Sequence, residues 1–210
     1  YRCDVAYEVP LDFWEDARKE LDAIKPVFML AEAEHPNLTE NAFDAVYNLA
    51  LKDIMALIAK GDKTTKHEHN SGVVADISKG VSAGLDKMFA QQDSAFLTDV
   101  LQMNHITNHD LNSWDGSEFE RFGDAVKTFA VLTYTINGMP LIYTGQEVGY
   151  DKRIEFFEKD PIKSWEKNDM FSFYQKLNAL KHTQDALKAG VEGGVMVRYE
   201  TISPDVYIFE

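Results

Sequence analysis

Two hydrophobic rhythms alternate along the chain. In LDFWEDARKELDAI, Phe13, Ala17, Leu21 and Ile24 recur at helical intervals, which predicts a helix after Pro10 with Asp12 at its N-cap. Val27–Leu30 is instead a short apolar run between Pro26 and charged residues, the pattern of a strand buried on both faces. Phe43–Tyr47 reads as a further strand, and LALKDIMALIAKG as a helix stopped by Gly61. Residues 61–72 are polar and predict a loop. ISKGVSAGLDKMFAQQ reads as an amphipathic helix weakened by its glycines, and LQMNHITNHD as a strand with a polar end. EFERFGDAVKTFAVLTYTIN predicts one long helix with a stripe through Phe122, Val126, Phe129 and Thr133, ended by Gly138 and Pro140. PLIYTGQEVGY reads as another buried strand and MFSFYQKLNALKHT as the last helix. GGVMVRYETISPDVYIFE alternates about a turn at Ser203–Asp205, as an antiparallel hairpin does.

Strand and helix in repeated alternation imply an α/β fold with a parallel sheet of βα units, followed by antiparallel β structure. The expected strands end in polar groups: Asp4, Glu32, Tyr47–Asn48, His109–Asp110 and Gln146–Glu147. In a barrel of parallel strands those ends share one rim, where catalytic residues collect. Trp14, Met55 and Phe129 fall on helix faces and read as core, and His105 as a residue that packs or hydrogen-bonds. His67, Glu68 and His69 have the residue types of a metal site, but they lie in a polar stretch with no third ligand in view. No metal ligands are assigned.

Composition narrows the partners. The formal net charge is −14, which argues against nucleic acid, since phosphate binding needs a basic face. Hydrophobic residues make up 45 % of the 210, enough for a sizeable core. Cys3 is the single cysteine, so neither an internal disulfide nor a cysteine-based zinc site can form. No apolar run reaches the roughly 18 residues of a membrane-spanning helix. The compartment is not legible; a periplasmic or extracellular setting is favoured over the cytoplasm.

YRCDVAYEVP, FMLAEAE and ITNHD, in that order on strands of a βα array, resemble three blocks of the α-amylase family, glycoside hydrolase family 13. GMPLIYTGQEVGY resembles the family's last barrel strand and the loop after it. The resemblance covers essentially the whole chain. It implies the C-terminal half of a (β/α)8 TIM barrel at residues 1–186, about strand 4 to helix 8. Residues 187–210 would begin an antiparallel β-sandwich domain. It also implies a retaining hydrolase of α-1,4 or α-1,6 glucosidic bonds in starch-like glucans or maltooligosaccharides, with no cofactor required for the chemistry.

Such chemistry needs one ionised carboxylate as nucleophile and one protonated carboxyl as acid, about 5–5.5 Å apart. By resemblance Asp4 is the nucleophile, Glu32 the general acid/base and Asp110 the third carboxylate, which grips ring hydroxyls. Glu34 is the alternative acid; Glu32 is preferred because it directly follows the apolar run and fits the family's Ala-Glu pair. Arg2, two residues before Asp4 on a period-2 strand, can hold that carboxylate ionised and aimed. His109 matches a histidine that binds sugar hydroxyls. Arg153 matches a position where members often place a substrate-side arginine, and Trp114 either stacks on a sugar or wedges its loop.

Two departures refine this reading. The family's Asp-x-x-x-Asn-His block is not found in the chain, and a full barrel needs about 250 residues, so a fragment is expected, inactive by itself. Where many α-amylases carry Lys-His, with a histidine carbonyl helping to bind calcium, this sequence has Tyr7–Glu8. That puts the usual calcium site in doubt, shifts the resemblance toward cyclomaltodextrinase- and neopullulanase-like members, and makes Tyr7 and Glu8 candidates for the leaving-group side. The competing expectation is a barrel homologue without catalysis, serving as a glycan-binding or partner-protein subunit.

Overall fold

The computed structural model describes residues 1–210 and resolves into two compact units: Tyr1–Met103 with Met196–Glu210, and Asn104–Val195. In the first unit, β1 (Arg2–Cys3) leads through a single turn into helix α1 (Leu11–Ile24), and β2 (Leu30–Ala31) follows. A short α2 (Leu38–Asn41) precedes β3 (Ala45–Tyr47), which runs into α3 (Leu49–Lys60). A hairpin of β4 (Lys66–Glu68) and β5 (Val74–Asp76) is followed by α4 (Val81–Ala95) and β6 (Leu101–Asn104). Strands β1, β2, β3 and β6 are neighbours in that order and all parallel, with Arg2 opposite Leu30, Leu30 opposite Ala45 and Ala45 opposite Leu101. Parallel neighbours joined by helices are the βα array that the alternation predicts.

The core of this unit gathers Ala6, Met29, Ala31, Leu38, Phe43 and Val46. Helix α1 turns a different stripe toward it than expected. Leu11, Trp14 and Leu21 pack on the core, whereas Phe13 and Ile24 are exposed. The Trp14 indole fixes that rotation by donating to the Ala6 carbonyl at 2.8 Å and meeting Phe43 edge-on at 5.2 Å. Pro10, not Asp12, occupies the N-cap, and Asp12 bonds only to the neighbouring Phe13 amide. Met55 is fully buried, as expected.

The polar stretch 61–72 is not all loop. Lys66–Glu68 pairs antiparallel with Val74–Asp76, because a tight turn, closed by the Gly72 amide on the His69 carbonyl at 2.8 Å, folds one segment back on the other. The hairpin's outer strand is exposed along its length, so it shows none of the apolar alternation that would announce it. Helix α4 begins only at Val81, and its Gly84 earns a structural place: a Cβ there would come within 2.4 Å of the Asp76 carbonyl oxygen, so the glycine lets α4 lie directly on β5. The terminal strands Arg198–Tyr199 and Ile208–Phe209 form the expected antiparallel hairpin.

In the second unit, a π-helical turn at Leu111–Asp115 precedes α5 (Glu118–Phe122) and α6 (Val126–Thr135). The single long helix expected here is two, parted at Gly123, whose φ of 53° carries the chain out of helical geometry. The stripe survives the break: Phe122, Val126, Phe129 and Thr133 are all buried. Strand β7 (Met139–Pro140) lies beside the end of β6, with the Leu141 amide on the Asn104 carbonyl at 2.9 Å. The strand expected through Gln146–Glu147 stops there instead, and a single 3-10 turn spans Gln146–Val148 between two left-handed glycines. Helix α7 (Asp169–Thr183), capped by Asn168, completes the unit and buries Tyr174 and Leu177.

Candidate active site

The candidates of the first unit follow from strand register. Because Cys3 lies opposite Ala31 in a parallel pair, the residues that leave the two strands, Asp4 and Glu32, emerge at neighbouring C-terminal ends. The Glu32 amide donates to the Cys3 carbonyl at 3.0 Å, continuing the pairing past the strand. Arg2 lies between the two carboxylates: Nη1 is 2.5 Å from Asp4 Oδ1 and Nη2 is 2.6 Å from Glu32 Oε1. Its Nε donates to the Tyr47 hydroxyl on β3 at 3.2 Å. Partial burial works against the guanidinium charge, but the hydrogen bonds to Tyr47 and Asp4 outweigh it and hold the Arg2 pKa above its ordinary value. The Val5 amide donates to Glu32 Oε2 at 2.8 Å, so the second carboxylate oxygen is engaged as well.

Val5 makes that bond from a strained backbone. Its φ of 42° and ψ of 46° are left-handed, and it is the one non-glycine residue in the chain with positive φ. A β-branched side chain rarely adopts that conformation. The strain sits directly after the candidate nucleophile, where such outliers tend to collect.

Tyr7 and Glu8 occupy the 3-10 turn Ala6–Glu8 and line a cleft with Pro10, Leu11, His35 and Asn37. The Glu8 carboxylate beside the Tyr7 hydroxyl raises the phenol pKa. Glu34 has a different setting. It is buried, accepts the Ala50 amide at 2.7 Å through Oε2 and the Ser71 hydroxyl at 2.8 Å through Oε1, and burial raises its pKa. Of the two glutamates in AEAEH, Glu32 is the one that shares Arg2 with Asp4, while Glu34 ties the β4–β5 hairpin to the start of α3. Of the histidines beside it, His67 lies on the exposed outer strand and His69 lies 3.1 Å from Asp53.

The second unit carries the other candidates. His109 and Asp110 follow a buried segment that includes His105, and their side chains approach to 3.3 Å between Nε2 and Oδ2. The Asn108 side chain accepts the Leu111 amide at 2.8 Å and so braces the two residues between. Asp110 leads directly into the π-helical turn, a distortion that often marks functional positions. Burial and the neighbouring Asp110 charge raise the Tyr143 pKa. Arg153 pairs with Glu120: its Nε bonds Glu120 Oε2 at 3.0 Å, and Nη1 reaches the Trp114 carbonyl at 3.5 Å. Trp114 is exposed; its ring meets Phe156 at a tilt of 39° and Phe157 edge-on at 62°.

Several features of this chemistry were not read from the sequence. In the sequence Tyr47 reads only as a strand end, and its bond to Arg2 depends on the register of two further strands. Phe156–Phe157 carried a detectable signal, two adjacent aromatics set among charged residues.

Comparison with known proteins gives the site its context. The family model for the α-amylase catalytic domain matches residues 8–167, which include Glu32, His109, Asp110 and Arg153. A cyclomaltodextrinase from Thermoanaerobacter pseudethanolicus is 24 % identical over 205 residues, 90 % of this chain and 32 % of that protein. A maltogenic α-amylase from Bacillus acidopullulyticus is 32 % identical over 157 residues, 71 % of this chain and 24 % of that protein. The crystal structure of a maltogenic α-amylase from Thermotoga neapolitana superimposes with a TM-score of 0.79 at 23 % identity, covering 99 % of this chain and 44 % of that one. The chain thus spans about a third or less of the length of these curated relatives, and its parallel array is part of a TIM barrel. Such chemistry needs no cofactor in this family. The chain belongs to the α-amylase catalytic-domain family of glycoside hydrolases.

Proposed function

We propose that the protein carrying this chain is a retaining α-glucan hydrolase acting on maltooligosaccharides or related α-1,4 or α-1,6 glucosides. The observation that carries the reading is the Arg2 guanidinium in contact with both Asp4 and Glu32 at the ends of adjacent parallel strands. Adjacent strands lie about 4.8 Å apart, close to the roughly 5–5.5 Å that a double displacement needs between its carboxyl groups. In this reading Asp4 attacks the anomeric carbon as Glu32 gives its proton to the departing glycosidic oxygen. Glu32 then takes a proton from water, which displaces Asp4 and restores the α configuration. The family resemblance assigns the ring hydroxyls to His109 and Asp110, and Tyr7 and Glu8 line a cleft suited to the departing sugar. The names of the relatives, cyclomaltodextrinase and maltogenic α-amylase, favour short or cyclic maltooligosaccharides as substrates.

The test is turnover of maltooligosaccharides and cyclodextrin by the full-length protein and by its Asp4→Asn and Glu32→Gln variants. Each variant is expected to lose at least about a thousandfold in kcat with its fold retained. Near-normal turnover by either would overturn the assignment, as would a β-configured first product in proton NMR. Wild-type binding without turnover would favour a non-catalytic homologue.

A further inference from the structure

Three aromatic rings in the second unit, Trp114 and the so far unassigned Phe156 and Phe157, form an exposed cluster. Trp114 and Phe156 have ring centroids 5.2 Å apart, Phe156 and Phe157 4.9 Å, and Trp114 and Phe157 6.2 Å. Phe157 is 82 % exposed and Trp114 57 %, so the cluster contributes little to the core. The loops that present it are nevertheless firmly held. The buried Asn112 accepts the Ile154 amide at 2.7 Å and donates to the Lys152 carbonyl at 3.1 Å, and Ser113 donates to the Ile154 carbonyl at 2.7 Å. Arg153, paired with Glu120, bonds the Trp114 carbonyl. Exposed aromatics on braced backbone are pre-organised for a ligand, because little freedom remains to be lost on binding.

The cluster is continuous with the candidate site. The Phe156 ring centroid lies 6.0 Å from that of His109, with the planes inclined by 32°. Flat aromatic faces suit the apolar C–H faces of pyranose rings, while the hydroxyl edges stay in water. We propose that Trp114, Phe156 and Phe157 form a stacking platform for a further glucosyl unit of the substrate, next to the unit that contacts His109. The platform rests on the hydrolase reading above and deepens it: it would make the enzyme favour longer maltooligosaccharides and would position the chain before bond cleavage. The same bracing explains Arg153, whose part is to hold the platform's backbone rather than to touch sugar.

The experiment compares KM and kcat for maltotriose and maltoheptaose in the full-length wild type, in Phe157→Ala, Trp114→Ala and Phe157→Trp, and in Trp165→Ala, an exposed tryptophan outside the cluster. Titration calorimetry of each protein with maltoheptaose accompanies it. Each alanine variant is expected to raise KM and Kd for maltoheptaose about threefold to tenfold, with a smaller change for maltotriose. Phe157→Trp should keep the wild-type values, and Trp165→Ala should not affect either substrate. Unchanged Kd in the alanine variants, or equal losses for both chain lengths together with a lowered Tm, would overturn the platform and leave the hydrolase reading standing. Platform-dependent binding by a wild type that turns over no glucan would do the reverse. A wild type that does not bind maltoheptaose would overturn the platform outright.

Discussion

The Val5 amide, held at a φ of 42°, donates to Glu32 Oε2 at 2.8 Å, so the turn after one candidate catalytic residue is tied directly to the other. The bond gives a reason for the strain. An extended or helical Val5 would point its N–H elsewhere and leave the Glu32 carboxylate tied to this segment through Arg2 alone. Val5→Gly is expected to relieve the strain and leave stability unchanged or raised by about 1 kcal/mol, read as Tm. Val5→Pro removes the donor and forbids the positive φ, and should lower both Tm and activity.

Arg2 bonds three partners on three strands or strand ends, and a flat guanidinium can do this where an ammonium cannot. Arg2→Lys keeps the charge but loses the simultaneous contacts. A fall in kcat of about a hundredfold is expected, with a Tm within a few degrees of wild type. A kcat unchanged in the lysine variant would show that positive charge alone suffices.

Glu34 and Glu32 should separate cleanly by mutation. Glu34→Gln can still accept the Ala50 amide and turn its own amide toward Ser71, so activity should persist. Glu34→Ala leaves the Ala50 amide buried without its partner and should cost about 2 kcal/mol in denaturant unfolding. Loss of activity in Glu34→Gln with full activity in Glu32→Gln would exchange the two residues' roles.

Glu118 predicts a pH dependence. It is buried, with one carboxylate oxygen lacking a partner, and burial together with the nearby Asp151 raises its pKa from 4.5 to about 7 against the hydrogen bond from its own backbone amide and the weaker pull of Arg121. Its charge also bears on Tyr174. Between those two values the folded state holds a proton that the unfolded state has released, so stability falls as pH rises through that window. Glu118→Gln, a permanently neutral analogue, should therefore match wild type near pH 4.5 and exceed it by about 3 kcal/mol above pH 7. Equal stability of the two proteins at pH 8 would show that Glu118 is not held protonated.

Much of the fold was legible because period and punctuation are local. The α3 pattern up to Gly61, the α7 pattern and the terminal hairpin all appear where their residues place them. Sequence and structure part where neighbours in space override local preference. Gly123 split a continuous helical stripe without disturbing it, since the two helices that result still bury the same face. The Lys66–Glu68 strand was invisible because both its faces are wet, and only pairing with Val74–Asp76 makes it a strand.

Spacing and residue type, both local, carry the parallel βα order, the family and the identity of the charged groups at the strand ends. Tertiary structure decided which of those groups meet. Glu32 and Glu34 are two residues apart in one short motif, yet one reaches Arg2 and the other is locked beneath a hairpin. Strand register aligns Cys3 with Ala31 and so brings Asp4 and Glu32 to neighbouring ends. Burial, in turn, keeps Glu34 in a structural network and leaves Phe157 open to solvent. Register and burial are properties of packed neighbours, distant along the chain, which no local pattern encodes.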